Sequence, residues 1–137
     1  MEYRQLDEKE IRQLEDNNCW AEDWQRVMVA DDFNPNAVRN VTFYGNVKLG
    51  SFDKSIEVSK TFMRRTGVYN ATLRNVTIGN NSLVENVGNY INNYVIGSDC
   101  YISNICTMET TEGATYGEGN IISVLNEVGE GNVVSYH

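Results

Sequence analysis

The second half of the chain repeats itself at a spacing of eighteen residues. The stretch IGNNSLVENV at 78–87 aligns with IGSDCYISNI at 96–105. A fixed spacing between similar segments is the sequence signature of a solenoid, in which each repeat packs only on its neighbours. Since eighteen is three times six, this spacing predicts a triangular coil with three short sides.

A six-residue register runs through the same region and fits a coil better than a helix or a hairpin sheet. A helix repeats its apolar residues near 3.6, and a hairpin sheet alternates over runs that irregular turns interrupt. Here every sixth position carries a residue that is expected to point into the core: Ile78, Val84, Tyr90, Ile96, Ile102 and Met108. Glycine and asparagine near these positions suit the left-handed backbone that corners need.

The register has two irregular places. Tyr90 is large for an inward position, so that side is expected to be bulged or shifted by one residue, which would place Ile91 and Val95 inside. Further along, a two-residue slip falls at 110–113, and the register resumes beyond it. Neither irregularity removes the coil, so the sequence predicts one continuous stack.

The segments IGNNSL, IGSDCY and VGEGNV resemble the consensus of the hexapeptide-repeat family of left-handed parallel β-helices. The resemblance covers residues 68–135 and implies a left-handed coil, an exception to the usual right-handed crossover. Members of the family are mostly sugar or amino-acid acyltransferases and the tail domains of sugar nucleotidyltransferases, commonly trimers. The predicted fold class is therefore an all-β solenoid, a left-handed parallel β-helix with a short α-helical N-terminal cap.

The chain is expected to form a single domain, with an N-terminal cap at 1–38 and the β-helix at 39–137. In the cap, Asp7 and Glu10 form a capping-box pattern that predicts the start of a helix. Three residues of the cap are expected to cover the open first coil: Trp20, Trp24 and Val27.

An early coil is predicted ahead of the main array, because RNVTF at 39–43 echoes RNVTI at 74–78. With the two segments aligned on this echo, four residues of the early coil are expected inside: Val41, Phe43, Val47 and Leu49.

A basic excursion at 51–67 separates the early coil from the main array, and its alternating residues predict a hairpin. Lys60, Arg64 and Arg65 are the best candidates for ligand contact, since adjacent arginines suit phosphate or carboxylate groups. Two alternatives stay open, an exposed insertion without a role and salt bridges to acidic neighbours. The acidic neighbours considered are Glu22, Asp23, Asp31 and Asp32.

The charge distribution limits the partners of the repeat array. The chain has a net charge of −8, and residues 75–137 contain seven acids and neither Lys nor Arg. Such a surface repels phosphates, so we expect no nucleic-acid partner. The absence of a long apolar run excludes a membrane span from this sequence. Cys100 and Cys106 fall at small interior positions and are expected to be buried, and a cytoplasmic location is the expectation.

The chain offers no catalytic constellation by sequence. Hexapeptide acyltransferases use a histidine as general base, whereas His137 at the very end is the one histidine here. No metal site and no particular cofactor is predicted. Four acids are expected to be solvated residues at bends or in the slip: Glu85, Asp99, Glu109 and Glu112.

Two further features could be structural or functional. Asn86 and Asn104 lie one coil apart and could form a side-chain ladder. The stretch YINNY at 90–94 could offer aromatic faces to a sugar ring, although packing in the core or between subunits is the favoured interpretation.

The chain stops in mid-register, so we expect that it is truncated or that another subunit covers its end. The YRQL start, the tryptophan-rich cap and the passage from NVTF to NVKLG also resemble the N-terminal part of an uncharacterised bacterial family of long β-helix proteins. Two functions follow as hypotheses. The first is a transferase acting on a sugar or nucleotide sugar, with its catalytic residues beyond this chain. The second is a non-catalytic scaffold that self-associates.

Overall fold

In the computed structural model, short strands wind into stacked coils that share three sides. The structure describes residues 2–59, 62–116 and 121–123, of which the side chains of 56–59, 62, 110–116 and 121–123 stay undescribed. One helix and thirteen strands lie in the described part: β1 Arg4–Gln5, α1 Glu8–Asp16, β2 Trp20–Ala21, β3 Val27–Val29, β4 Val38–Tyr44, β5 Val47–Leu49, β6 Ser55–Ser59, β7 Phe62–Arg65, β8 Gly67–Ile78, β9 Leu83–Glu85, β10 Tyr90–Ile96, β11 Tyr101–Ser103, β12 Thr107–Tyr116 and β13 Ile121–Ser123. Two 3-10 turns, Trp24–Arg26 and Pro35–Ala37, complete them.

The coils stack with their strands parallel. Ile78 at the end of β8 pairs with Ile96 of β10, eighteen residues further on, as the sequence match predicts. Ile96 then pairs with Tyr116, twenty residues on, because the pairing of β12 jumps from Glu109 to Ala114. The two-residue slip is therefore confirmed. The predicted fold class, a parallel β-helix with a short α-helical N-terminal cap, is confirmed as well.

Each side contributes one inward column of apolar residues, and we number the sides in the order in which a coil visits them. Strand alternation sends every second side chain inward, so stacked coils align these residues. The column of side 1 contains Val38, Val68, Val84 and Ile102. Side 2 contributes Ala21, Phe43, Leu73, Ile91 and Met108. Side 3 contributes Val29, Leu49, Ile78 and Ile96. All of these side chains are buried.

Asparagines in the left-handed backbone conformation turn the chain between side 1 and side 2. Asn18, Asn40, Asn70, Asn86 and Asn104 all have φ between 53° and 63°. The first four form a ladder in which each amide nitrogen donates to the next amide oxygen, at 2.8, 3.0 and 3.1 Å. Asparagine tolerates this conformation better than other side chains do, and the ladder satisfies its amide.

The N-terminal segment closes the first coil. Asp7 caps helix α1, and the reciprocal hydrogen bond from the Asp7 backbone to the Glu10 side chain completes the predicted capping box. Strand β1 pairs antiparallel with β3, which protects the edge of side 3. The parallel pairing itself begins at Trp20, because β2 already pairs with β4.

Tryptophan placement in the cap differs from the prediction for one of the two residues. Trp24 lies on the core with its ring centroid 5.9 Å from that of Phe43, as expected. Trp20 does not cover the first coil and is instead 53% exposed, edge-on to Tyr44 at 5.6 Å. Strand alternation explains this, since Ala21 is the residue of β2 that points inward.

The one-residue shift predicted at Tyr90 is present at the start of strand β10 but not at its end. Ile91 takes the inward position and is fully buried, whereas Tyr90 lies on the outside. The inward placement of Val95 is wrong, because Val95 is 47% exposed between the inward residues Tyr94 and Ile96. The shift is thus absorbed within β10 and does not persist to its end.

The early coil is present, but its partner is not the one that the echo indicated. Phe43 and Leu49 are buried as predicted, together with Val41 and Val47. Phe43 pairs with Leu73, however, and not with Ile78. The echo therefore joins two different sides of the coil.

Candidate functional site

The basic excursion folds as the predicted hairpin and reaches the outer surface of side 1. Strands β6 and β7 pair antiparallel, and the base is closed by the Thr66 amide donating to Lys54 O at 2.8 Å. Arg64 Nε lies 2.9 Å from Glu85 Oε1, and its guanidinium is stacked over the Tyr69 ring at 4.8 Å. The Arg64 guanidinium therefore contacts groups of the protein itself, the Glu85 carboxylate and the Tyr69 ring.

Arg65 and Lys60 are the other two predicted ligand contacts. Arg65 is exposed, with Nη2 3.5 Å from the backbone oxygen of Phe52. Lys60 lies outside the described residues. A ligand role for Lys60, Arg64 and Arg65 stays a prediction.

Glu85 is a buried carboxylate, and the expectation of a solvated bend residue is wrong. It is the last residue of β9 and is 7% exposed. Its Oε2 accepts hydrogen bonds from Tyr101 Oη at 3.2 Å and Ser103 Oγ at 3.1 Å. With Arg64 on the other oxygen, the carboxylate is fully engaged, as a buried charge must be. The salt-bridge alternative thus holds for Arg64, with a partner that the sequence did not indicate.

A groove of about 510 Å³ lies on the outer surface of side 2. Its floor is an outward column, one residue from each stacked coil: Glu22, Tyr44, Arg74, Asn92 and Glu109. A second outward column runs beside it and contributes Thr72 and Tyr90. Adjacent strands are about 4.8 Å apart, so each residue lies within reach of the next.

Tyr90, Asn92 and Glu109 form a hydrogen-bonded group at one end of the groove. Tyr90 Oη donates to Glu109 Oε2 at 2.8 Å, and Asn92 Nδ2 donates to Glu109 Oε1 at 3.2 Å. The bond to Glu109 is the main cause that raises the pKa of Tyr90 above its ordinary value. The carboxylate is exposed on the side facing the groove.

The middle of the groove contains polar groups whose bonding capacity is unused. Arg74 is exposed, and no carboxylate of a described residue lies within 4.0 Å of its guanidinium. Asn92 Oδ1 is buried and accepts no hydrogen bond from the described residues. Arg74 and Asn92 are register partners on adjacent coils, and of the two groups only the guanidinium is accessible from the groove.

Sequence reasoning found only part of this groove. The stretch at 90–94 was considered as a source of aromatic faces, and Tyr90 does line the groove, whereas Tyr94 packs against the core. Arg74, Asn92 and Glu22 were not proposed as a group. The signal that could have found them is the column of outward residues. That column can be read from the sequence only if the number of residues in every coil is known.

Neither a membrane-crossing helix nor a metal-binding cluster is found among the described residues. No helix among them is long and apolar enough to cross a membrane. No group of three His, Cys, Asp or Glu side chains in the described part of the chain could hold a metal ion.

These features define a β-solenoid protein with a polar and aromatic groove on one outer side. The sequence model of a domain of unknown function, DUF4954, matches residues 3–137, and the chain belongs to this family. An uncharacterised protein of Treponema pallidum (strain Nichols) is 30% identical over 138 residues, which cover 93% of this chain. The chain spans only 19% of that relative's length. No solved structure matches the chain.

Proposed function

We propose that this chain is the substrate-holding part of a transferase-like β-helix protein that acts on a sugar or a nucleotide sugar. The groups that carry out the transfer would lie elsewhere in the complete protein. The observation that carries this proposal is the groove on side 2. A concave site that combines aromatic rings with a few convergent polar groups is the usual form of a small-ligand site, and the volume of the groove falls within the common range.

The side chains of the groove suit a saccharide. A sugar ring offers an apolar face, which can lie on the ring of Tyr90, and hydroxyl groups, which need both donors and acceptors. Glu109 supplies acceptors, and the exposed Arg74 supplies donors. The resemblance of IGNNSL and IGSDCY to sugar-modifying hexapeptide-repeat proteins points to the same substrate class.

Chemical-shift mapping of the ¹⁵N-labelled protein tests this proposal. We expect N-acetylglucosamine or its uridine diphosphate conjugate to shift the amides of Thr72, Tyr90 and Asn92. The Tyr90→Ala variant should lose most of this response. A panel of sugars and nucleotide sugars that shifts no groove amide would overturn the proposal.

A self-associating scaffold is the second candidate, and exposed apolar side chains favour it. Trp20, Met63 and Val95 are 53%, 58% and 47% exposed. The flat outer sides could bury these residues between copies, and a trimer is the form that the family resemblance implies. Light scattering separates the candidates, because a monomer at tens of micromolar would exclude self-association and leave the groove proposal intact.

We also propose a cytoplasmic location. Cys19 is buried, and burial raises the pKa of its thiol, so it is an inert structural residue. Disulfides are typical of oxidising compartments. Recovery of the protein in the periplasmic or secreted fraction of its cells would contradict this proposal.

A further inference from the structure

We propose that the outer surface of side 1 contains a binding site for a guanidinium group, which Arg64 of the hairpin fills as an internal ligand. An arginine side chain from outside the chain can take the place of Arg64. The site lies on a different side of the coil from the groove, so this inference does not rest on the proposed function.

The walls of this site belong to three adjacent coils. Tyr69 and Ser103 are the register partners of Glu85 on the coils before and after it. The Glu85 carboxylate is buried, and its Oε2 accepts hydrogen bonds from Tyr101 Oη at 3.2 Å and Ser103 Oγ at 3.1 Å. These two hydroxyl groups orient the carboxylate, so Oε1 is held ready for a donor whether or not the hairpin supplies one.

The present occupant shows which chemical group fits. Arg64 Nε lies 2.9 Å from Glu85 Oε1, and the guanidinium is stacked over the Tyr69 ring at 4.8 Å. A guanidinium has a planar face for an aromatic ring and donors in its plane for a carboxylate, whereas an ammonium group has no planar face. The site therefore selects an arginine side chain over a lysine side chain.

Side 2 contains the same arrangement of an acid, a tyrosine and a polar residue without a hairpin above it. There Glu109 accepts hydrogen bonds from Tyr90 at 2.8 Å and from its register partner Asn92 at 3.2 Å. On both sides the polar residue follows the tyrosine by two positions in the sequence. Because the coil builds this arrangement without a hairpin on side 2, Arg64 is an occupant of the side 1 site and not one of its walls.

The attachment of the hairpin permits exchange of the occupant. Strands β6 and β7 form a two-stranded sheet of their own, and neither pairs with a described strand of the coil. A hairpin of this kind is marginally stable alone, so its position on side 1 depends on side-chain contacts such as that of Arg64. The Arg64 side chain is 36% exposed, which leaves a path from solvent to the Glu85 carboxylate.

The tether of Arg64 sets the strength of the competition. A ligand on a short connection has an effective concentration in the millimolar range, and an arginine from outside must compete with it. The unaltered protein should therefore bind arginine weakly. Arg64→Ala empties the site and should bind arginine at least about tenfold more tightly than the unaltered protein does.

Chemical-shift mapping of ¹⁵N-labelled Arg64→Ala tests the inference. The probes are free arginine, a Gly-Arg-Gly peptide blocked at both ends, and the corresponding Gly-Lys-Gly peptide. We expect the arginine peptide to shift the amides of Tyr69, Glu85 and Ser103 and to bind several times more tightly than the lysine peptide. Free arginine and the peptide separate the two sources of the guanidinium, a small molecule and a protein segment.

Two further variants assign the binding to this site. Arg12→Ala removes the same charge from helix α1, where Arg12 Nη2 lies 3.5 Å from Glu8 Oε2, and should bind as weakly as the unaltered protein. Adding Glu85→Gln to Arg64→Ala should abolish binding, because it removes the charge of the acceptor. Circular dichroism verifies that the coil is intact. If Arg64→Ala folds poorly, its refolding yield with each peptide gives the same comparison.

The inference is overturned if Arg64→Ala neither binds nor is refolded by the arginine probes, or if the lysine peptide does as well as the arginine peptide. It is equally overturned if Arg12→Ala gains the same affinity, or if the variant that also carries Glu85→Gln keeps it. Binding of the peptide alone supports a protein segment as the ligand. Binding of both arginine probes supports a site for the guanidinium group itself.

Discussion

The outer surfaces of side 1 and side 2 are built from the same coils but are used differently. On side 1, the hairpin brings Arg64 to Glu85, and the carboxylate is 7% exposed with both oxygens engaged. On side 2 no hairpin intervenes, and Arg74 and Asn92 Oδ1 keep unused bonding capacity. Side 1 therefore satisfies its buried carboxylate internally, whereas side 2 keeps an exposed guanidinium with no carboxylate partner among the described residues.

This difference shows that inward and outward positions of the coil are under different physical constraints. Inward positions must be apolar on every side, because the coils have one common core. Outward positions are free to vary, so one surface can support a stabilising insertion and another can form a groove. The four predictions that follow test this contrast between the sides.

The largest effect is expected from removing the buried acid of side 1. Glu85→Ala leaves Arg64 and the hydroxyls of Tyr101 and Ser103 without their acceptor, and should lower the free energy of unfolding by about 2–3 kcal/mol. Glu109→Ala, its counterpart on the exposed side 2, should leave the free energy of unfolding nearly unchanged. Urea denaturation measures both. Equal losses for the two variants would contradict the contrast.

The corner between the two sides should give the next largest effect. Asn70 has φ of 55° and joins the amides of Asn40 and Asn86. Asn70→Ala loses both hydrogen bonds and places alanine, whose Cβ is strained there, in the left-handed region. The free energy of unfolding should fall by about 1–2 kcal/mol. Asn70→Gly removes the backbone strain and should be clearly less destabilising. Thermal unfolding of both variants tests this role of the corner. A higher melting temperature for Asn70→Ala than for Asn70→Gly would contradict it.

Ligand binding should depend on one tyrosine and not on its counterpart. Tyr90→Ala removes the ring on which a sugar would lie and should weaken glucose binding by roughly three- to tenfold. Tyr69→Ala, on side 1 beneath Arg64, should leave the affinity as it is. Titration calorimetry on both variants makes the comparison. A loss of affinity in Tyr69→Ala would move the site to the hairpin side.

The smallest effect concerns two tyrosines whose pKa values are raised for different reasons. The pKa of Tyr90 is raised first by its hydrogen bond to Glu109, whereas the pKa of Tyr101 is raised first by burial. Glu109→Gln should therefore lower the pKa of Tyr90, and Glu85→Gln should leave the pKa of Tyr101 above its ordinary value. Spectrophotometric titration of tyrosinate, with Tyr90→Phe as the reference, measures these shifts.

The sign of the accompanying stability change follows from the same shift. A raised pKa means that the folded protein favours the neutral phenol. The stability gained at Tyr90 is therefore fully present below the ordinary tyrosine pKa of 10.0 and is lost as the pH rises through the folded pKa. An alkaline loss of stability that is equal in Tyr90→Phe and the parent protein would remove Tyr90 as its source.

Much of the fold could be predicted because inward residues follow local rules. Ile78, Ile96 and Ile102 were placed correctly by counting six, since strand alternation and corner residues act within a few positions. The capping box at Asp7 and the hairpin were predicted for the same reason. The register misplaces Tyr90, because the step from the inward Val84 of side 1 to the inward Ile91 of side 2 is seven residues and not six.

The candidate sites were predicted far less well. Glu85 was assigned to solvent because an acid near an asparagine corner is usually solvated, and only the returning hairpin places Arg64 upon it. The groove depends on Tyr44, Arg74 and Asn92 being aligned, which no short stretch of sequence reveals.

The sequence by itself determined the coil, its three-sided core and the left-handed asparagine corners, because side-chain alternation and backbone preference act locally. Tertiary structure alone decided which outward residues meet. Tyr44 pairs with Arg74 thirty residues on, Arg74 with Asn92 eighteen on and Asn92 with Glu109 seventeen on. These unequal steps arise from the hairpin and the bulges, so no fixed period aligns the outer columns. The stacking of complete coils is what turns scattered polar residues into one paired surface and one open groove.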